Sequence, residues 1–527
     1  MPVSFTSTTS TARQLVQQEP VNQSVGQSIG EAAPATRRRP GKRPGKKRVR
    51  LLAPADRHLV RRFSYGITPE LAKRVRKAGG GLAWFEQQLS PGSIADPQVD
   101  ALAGWYPSLR RGPSELWRRQ VKEIEGGWEV MDDYARWLLL RRIKTRRPVF
   151  EMMVEFWENH LHVTAVGDGQ FTHRVDYGKT IRQHALGRFD DMLVAAITHP
   201  AMLIYLNAAE STKEHPNENL GRELLELHTV GVGNYDERDV KNSARILTGW
   251  SVDMWESWRP QYNREDHYVG RVKVKGFAAK NGNDDGRAVT RKYLRYLAHH
   301  PQTARRIAQK LAVKFVSDRP PASLVDRLAR VYLDNDTAIK PVLRALVRSS
   351  AFQNAAGKKV RDPGEDVVGT YRALGISVSQ PPKGDRAGRS AAATMLYSAQ
   401  TIGVSPFGWP TPDGQPLDGA AWASPSRLLA SMRFHLDLAG GWWPTVAVGY
   451  REPKDWLPRR QVRFEDLVEH VARITLHRHA SDRLVEACCR ATGVKRRELV
   501  DAEHELVQWG FPRFLSVFLD SPDHLSR

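Results

Sequence analysis

The chain has 527 residues, with a hydrophobic content of 41% and an aromatic content of 9%. This composition excludes a disordered or fibrous protein. The length exceeds what one ordinary hydrophobic core accommodates. The formal net charge is +22 at pH 7, so nucleic acid or another acidic polymer would be a complementary partner. The sequence contains no run of about 18 apolar residues, which excludes a transmembrane segment.

Residues 1–50 are predicted to form a disordered basic tail. They are rich in Ser, Thr, Gln and Pro, and end in the run "RRRPGKRPGKKRVR" at 37–50, which holds nine Lys and Arg and no acid. Such a run can bind nucleic acid or an acidic polymer, or it can simply be solvated. The N-terminus lacks the apolar core of a secretory signal, which favours a cytoplasmic location.

From residue 51 the pattern becomes helical and predicts a mainly α fold, a multi-helix orthogonal bundle with long irregular loops. Thr68 and Pro69 precede an amphipathic stretch in the way that helix caps do. Only "HYVGRVKVKGF" alternates like a strand, so a short β excursion is expected near 266–277. We predict a helical core over 51–375, a Pro/Gly/Trp-rich loop region and helix packed on it over 376–450, and a C-terminal helical segment over 451–527.

The segment "NENLGRELLELH", residues 217–228, is unusually polar for a helix with a leucine stripe. On a regular helix, Asn219, Glu223 and Glu226 share one face, and Arg222 lies four residues before Glu226. His228 falls beside the leucines. The simpler interpretation is a solvent-exposed acidic face of a helix, and the alternative is a cluster of acids that takes part in catalysis or metal binding.

A second segment, "VEFWENHLHV", places His160 beside apolar residues and His162 on the polar face of its helix. A core histidine satisfied by one hydrogen bond is the usual explanation for such a residue, and a general base or metal ligand is the alternative. The sequence contains no P-loop, no GxGxxG after a strand, no HExxH and no GxSxG, so no nucleotide cofactor is expected.

"NENLGRELLELHTVGVGNYDERDVKNSARILTGW" resembles the signature of the bacterial domain of unknown function 1800 family. Later blocks, among them "DHYVGRVKVKG", "IAQKLAVKFVSDRPP" and "GWPTPDGQPLDGAAWASPS", are similar to that family in the expected order. The resemblance implies a mostly helical protein with no established activity. It also implies a sulfatase-like companion protein and, for many members, export to the cell envelope.

Two interpretations follow. The first is a helical scaffold or binding protein with a buried Glu/Asn/Arg/His cluster, since no complete catalytic constellation can be read from the sequence. The second is an acid/base or metal-assisted hydrolase, in which two nearby carboxylates raise the pKa of one of them. A third use, nucleic-acid binding, rests on the basic tail.

The hydrolase interpretation assigns a role to each candidate residue. Glu223 and Glu226 exchange protons, His160 shuttles them, and Asn219 orients a water or substrate. Arg222 holds an anion or stabilises Glu226. A divalent metal would be bound by Glu223, Glu226 and His160. Six further residues are candidates for substrate binding, with the tryptophans stacking on a flat substrate such as a sugar ring: Trp157, His162, His228, Trp250, His267 and Trp422.

Overall fold

Helices begin where the sequence supplies caps. The Thr68 hydroxyl accepts a hydrogen bond from the backbone N–H of Leu71 at the start of Pro69–Lys77. Asp236 and Asp239 form a reciprocal capping box before Glu237–Leu247. The computed structural model describes residues 49–165, 167 and 169–527, and the predicted mainly α fold is confirmed.

The α-helices follow one another with short connections. Those of the first half are α1 (Pro54–Arg62), α2 (Pro69–Lys77), α3 (Gly81–Gln88), α4 (Pro97–Asp100), α5 (Pro113–Val121), α6 (Gly127–Lys144), α7 (Pro148–His160), α8 (Phe171–His184), α9 (Phe189–Ile197), α10 (Pro200–Tyr205), α11 (Glu218–Glu223) and α12 (Glu237–Leu247). Those of the second half are α13 (Arg287–Ala298), α14 (Pro301–Phe315), α15 (Ala322–Asp334), α16 (Ile339–Val347), α17 (Ser350–Gln353), α18 (Pro363–Leu374), α19 (Ala391–Ile402), α20 (Pro425–Gly440), α21 (Phe464–Thr475), α22 (Asp482–Thr492), α23 (Phe511–Leu519) and α24 (Pro522–Leu525).

Strands are very short and pair only two at a time. The antiparallel pairs are β1 (Trp250–Val252) with β2 (Pro260–Tyr262), β3 (Val272–Val274) with β4 (Phe277–Ala279), β5 (Ser377–Val378) with β6 (Val448–Gly449), and β7 (Val462–Arg463) with β8 (Leu499–Val500). The β3–β4 hairpin is the excursion predicted near 266–277. The other pairs were not predicted, because strands of two or three residues are too short to show a period of two.

The described residues from 49 onwards belong to one compact unit, whose interior contains two hydrophobic clusters. The first is built mainly from α1–α3, α7 and α9–α16, and the second mainly from α6, α18, α19, α21 and α23. Helices α7 and α8 contribute to both clusters. Because the second cluster joins segments that are far apart in sequence, the cores do not follow the order of the chain. The predicted division of 51–527 into three segments stays a prediction.

The Pro/Gly-rich stretch at 403–426, here called the covering loop, lies over the end of α7. The Asn159 side chain bonds to both backbone groups of Gln415, with Oδ1 accepting from N at 2.7 Å and Nδ2 donating to O at 2.9 Å. His162 Nε2 lies 2.9 Å from the carbonyl oxygen of Trp409. The loop is therefore fixed to the helix that carries the first sequence block.

The predicted basic tail, residues 1–50, lies outside the described residues except for its last two positions. Within the described part of the chain, no helix is both long enough and apolar enough to cross a bilayer.

Candidate acid–base site

The polar segment of the family signature is helical, but it is not a regular α-helix throughout. After α11 ends at Glu223, residues Leu224–His228 form a π-helical turn. The regular spacing that we assumed for this segment is therefore wrong beyond Glu223, and the directions of Glu226 and His228 change. Single π-helical turns occur frequently at functional sites.

His228 and His160 hold this turn against the end of α7. His228 Nδ1 lies 3.0 Å from the carbonyl oxygen of His160, and His160 Nε2 lies 3.1 Å from the carbonyl oxygen of His228. Both rings are buried, and burial lowers both pKa values, that of His228 to about 3. The second ring nitrogen of His228, Nε2, has no hydrogen-bond partner among the described residues.

Lys310 on α14 completes this arrangement. Its Nζ lies 3.1 Å from His160 Nδ1, so Nδ1 accepts from the amine while Nε2–H donates to the His228 carbonyl oxygen. Burial, with repulsion from Arg306, lowers the pKa of Lys310 to about 7. A lysine in this state is substantially a neutral amine near neutral pH, and such an amine can accept a proton or attack an electrophile.

The two predicted acids are linked to these basic groups only through intervening charges. Glu226 acts on Glu223 and on Arg306, and Arg306 in turn acts on Lys310. The Glu223 side chain is half-buried, and its carboxylate makes no hydrogen bond to another described residue. Burial and the charge of Glu226 raise its pKa.

Glu226 accepts a hydrogen bond from the hydroxyl of Tyr235. Arg222 does not stabilise Glu226 as predicted. It bonds to both carboxylate oxygens of Glu237, at 2.8 and 2.7 Å.

Asp413 on the covering loop adds a third carboxylate. Its charge opposes the lowering of the Lys310 and His162 pKa values and adds to the raising of the Glu223 pKa. Asp413 is exposed, and it accepts a hydrogen bond from Trp409 Nε1 at 3.2 Å. We call His160, Lys310, Glu223, Glu226 and Asp413 the acid–base cluster.

Sequence reasoning missed Lys310 and Asp413. Both lie in blocks that carry the family resemblance, "IAQKLAVKFVSDRPP" and "GWPTPDGQ", but neither residue belongs to a local catalytic motif. Helix spacing along one segment cannot show that residue 310 meets residue 160, because that contact depends on tertiary packing.

Several predicted binding residues occupy structural positions instead. Trp157 is fully buried and donates from Nε1 to the Ala185 carbonyl oxygen at 3.0 Å. Trp422 is buried, with Nε1 3.1 Å from the Pro416 carbonyl oxygen. The two rings therefore offer no open face for a sugar. Trp250 is half-buried in an edge-on contact with Tyr262.

Of the remaining polar candidates, His267 is buried and Asn219 is exposed. Both ring nitrogens of buried His267 are occupied, Nδ1 by the Thr248 carbonyl oxygen at 2.9 Å and Nε2 by Asn281 Oδ1 at 3.1 Å. Asn219 is exposed at the start of α11. His267 is therefore a structural residue, and Asn219 faces solvent.

The candidate metal ligands Glu223, Glu226 and His160 do not form a set of ligand atoms close enough to share an ion. In the described ranges such sets, with all atoms within 4.8 Å, are Asp366, His435 and His524, and Glu155, Asp362 and Glu365. In addition, both nitrogens of His160 are hydrogen-bonded, so neither is available to bind an ion.

The second of these sets surrounds an ammonium group. Lys314 Nζ lies 3.1 Å from Glu155, 3.2 Å from Asp362 and 2.8 Å from Glu365. All four side chains are buried, and the carboxylates raise the pKa of Lys314. We call them the Lys314 network. Its acids receive further cations, with Arg142 3.4 Å from Glu155 and Arg527 2.8 Å from Glu365.

A cavity with about 480 Å³ of empty space, part of it open to solvent, lies between this network and the covering loop. Its polar lining includes Glu155, Glu158, Asn159 and His162. Burial raises the pKa of Glu158. The face of α7 predicted to be polar therefore lines a cavity.

The fold and this site define a mainly α-helical protein in which a lysine of lowered pKa contacts a buried histidine beside a π-helical turn. The chain belongs to the family described as protein of unknown function (DUF1800), whose sequence profile matches residues 58–525. The resemblance found in the sequence is thus confirmed over nearly the whole chain. Comparisons with curated proteins and with solved structures found no match.

Proposed function

We propose that the protein is an acid–base enzyme of the hydrolytic class. The observation that carries this proposal is the contact of Lys310 Nζ with His160 Nδ1 at 3.1 Å, which holds an amine of lowered pKa. Glu223, a carboxyl group of raised pKa with no described hydrogen-bond partner, lies in the same region. Pairs of groups tuned towards neutrality in one place are characteristic of acid–base catalysis.

The proposed roles make the Lys310 amine the general base and the Glu223 carboxyl the general acid. The neutral amine of Lys310 accepts a proton from a water molecule, whose oxygen adds to the electrophilic centre of the substrate. The protonated carboxyl of Glu223 donates its proton to the leaving group. Proton transfer from the Lys310 ammonium to the Glu223 carboxylate, through solvent, restores the starting state. His160 fixes the amine in place.

The test is a panel of chromogenic ester, phosphate, glycoside and peptide substrates, assayed with Lys310→Met and Glu223→Gln. We expect each substitution to reduce turnover by about 100-fold or more, the scale of one general acid or base. Glu237→Gln is the control, because Glu237 pairs with Arg222 on the surface outside the cluster. Turnover that is equal in wild type and in both cluster variants would contradict the proposal.

A helical scaffold is the second candidate. It is supported by the Lys314 network, since a neutralised buried set of charges can fix the packing of helices without taking part in chemistry. Under this proposal Lys310→Met and Glu223→Gln leave the protein's binding partners unchanged, and no substrate of the panel is turned over.

Partners and location also belong to the proposal. The run 37–50 supports contact with nucleic acid or another acidic polymer, and the family resemblance supports a sulfatase-like companion and an envelope location against the cytoplasmic one. Deletion of residues 1–50 tests the first point. We expect affinity for DNA that falls steeply with salt and disappears in the deletion variant.

A further inference from the structure

Away from the acid–base cluster, three buried side chains of types that bind metal ions lie close together. Asp366 lies on α18, His435 on α20 and His524 on α24. They are 0%, 0% and 2% exposed. Two histidines and an aspartate drawn from three separate helices require tertiary packing to bring them together, and a buried polar set of this kind needs an explanation.

The distances fit a bound ion. Asp366 Oδ1 lies 3.2 Å from His435 Nε2 and 3.9 Å from His524 Nε2, and all the ligand atoms lie within 4.8 Å of one another. Nitrogen and oxygen ligands about 2.1 Å from a zinc ion in tetrahedral geometry are separated by similar distances.

The groups around the set are those that support metal ligands. Asp520 Oδ1 lies 2.7 Å from His435 Nδ1. The other nitrogen of that ring, Nε2, is therefore the one that faces Asp366 Oδ1 at 3.2 Å and the Ser431 hydroxyl at 3.4 Å. The other oxygen of Asp366, Oδ2, accepts from Arg427 Nη2 at 3.2 Å and from the hydroxyl of Ser431. Carboxylates that orient the far nitrogen of a ligating histidine are typical of metal sites.

We propose that Asp366, His435 and His524 bind one divalent transition-metal ion. Two imidazoles and one carboxylate, without a thiolate, suit ions such as Zn²⁺, Fe²⁺ or Co²⁺ rather than Ca²⁺ or Mg²⁺. Three protein ligands leave a coordination position open.

The open position would accept a small anion. Of the three ligands, His524 alone lines an adjacent cavity, which has room for about one water molecule and is also lined by Arg61 and Arg361. Arg361 is 6% exposed, and its Nη1 has no hydrogen-bond partner in the described part of the chain. An anion bound to the metal would supply that partner. This site is independent of the proposed function at Lys310.

A metal-free explanation competes with this proposal. The His435 imidazole lies between Asp366 and Asp520, so a protonated ring could bridge the two carboxylates without an ion. The hydroxyl of Thr370, 3.1 Å from His524 Nε2, could likewise satisfy that nitrogen. The two explanations differ in whether purified protein retains a metal.

The experiment uses untagged full-length protein, stripped with a chelator, incubated with Zn²⁺ or Co²⁺ and passed through gel filtration. We expect one metal ion per chain, a Co²⁺ absorption spectrum of nitrogen and oxygen ligands, and a Tm that rises with added metal. His524→Gln should lower metal affinity by at least tenfold. His267→Gln, another buried histidine, should retain the metal.

Two results would overturn the proposal. The first is wild-type protein that holds no stoichiometric metal and shows no Co²⁺ spectrum, which would establish the bridging imidazolium. The second is a folded His524→Gln variant that binds as tightly as wild type. Since the wild-type measurements need no substitution, poor folding of a variant does not remove the test.

Discussion

Lys310 and Lys314 lie one turn apart on α14, yet their surroundings are opposite in charge. Lys314 Nζ is within 3.2 Å of three carboxylates, which raise its pKa. Lys310 Nζ contacts an imidazole and lies near Arg306, and its pKa falls to about 7. Burial alone would lower the pKa of Lys314 more than that of Lys310, because Lys314 is the more buried of the two. Burial therefore does not explain why the two pKa values shift in opposite directions. The charge of the neighbours decides which one is a structural cation and which one is a neutral amine.

The first prediction tests the structural member of this pair. Lys314→Met should lower the free energy of unfolding by about 3–5 kcal/mol, because three buried carboxylates lose their shared cation. Urea denaturation followed by circular dichroism measures the change. A variant that is as stable as wild type would show that the remaining arginines neutralise the network without the lysine.

The second prediction concerns the histidine pair that holds Lys310 in place. His228→Phe should lower the free energy of unfolding by about 1–3 kcal/mol at pH 7, because the buried His160 carbonyl oxygen loses its donor.

The same substitution should change the acid response. Unfolded histidine binds a proton near pH 6.5, whereas folded His228 does so only near pH 3. The unfolded state therefore binds more protons in this range, and wild-type stability falls as the pH drops below about 6.5. The variant lacks this contribution, so the difference in stability between the two proteins should shrink at pH 5. A constant difference would contradict the neutral state of His228.

The third prediction tests the chemical member of the pair, and its effect at pH 7 is the smallest. Folded Lys310 binds a proton near pH 7 and unfolded lysine near pH 10. Between these values the unfolded state binds more protons, so wild-type stability rises with pH. Lys310→Met should remove part of this rise and should be no less stable than wild type at pH 7.

Chemical denaturation at pH 7, 8 and 9 checks this prediction. An exposed lysine such as Lys292 is the control, and its substitution by methionine should leave the slope unchanged. If Lys310→Met destabilises the protein as strongly as Lys314→Met, the contrast between the two lysines is absent.

The sequence predicts helices and their caps well, because these depend on neighbours in the chain. Thr68 caps a helix where expected. The importance of Glu223 and His160 could also be suspected locally, although their catalytic role stays a prediction. The π-helical turn at 224–228, the contact of Lys310 with His160, and the meeting of Asp366 with two distant histidines could not be predicted, since each depends on packing between separate helices.

The position of Asp413 has a consequence for control of the acid–base cluster. The next residue, Gly414, has a φ of +73°, and a Cβ atom there would lie 2.2 Å from the Asn159 backbone oxygen. Only glycine permits the loop to approach α7 this closely. Because the loop carries a charge that opposes the lowering of the Lys310 pKa, the position of the loop helps to set how basic the amine is. A peptide or ligand that displaced the loop would thus change the pKa of Lys310 without moving any helix.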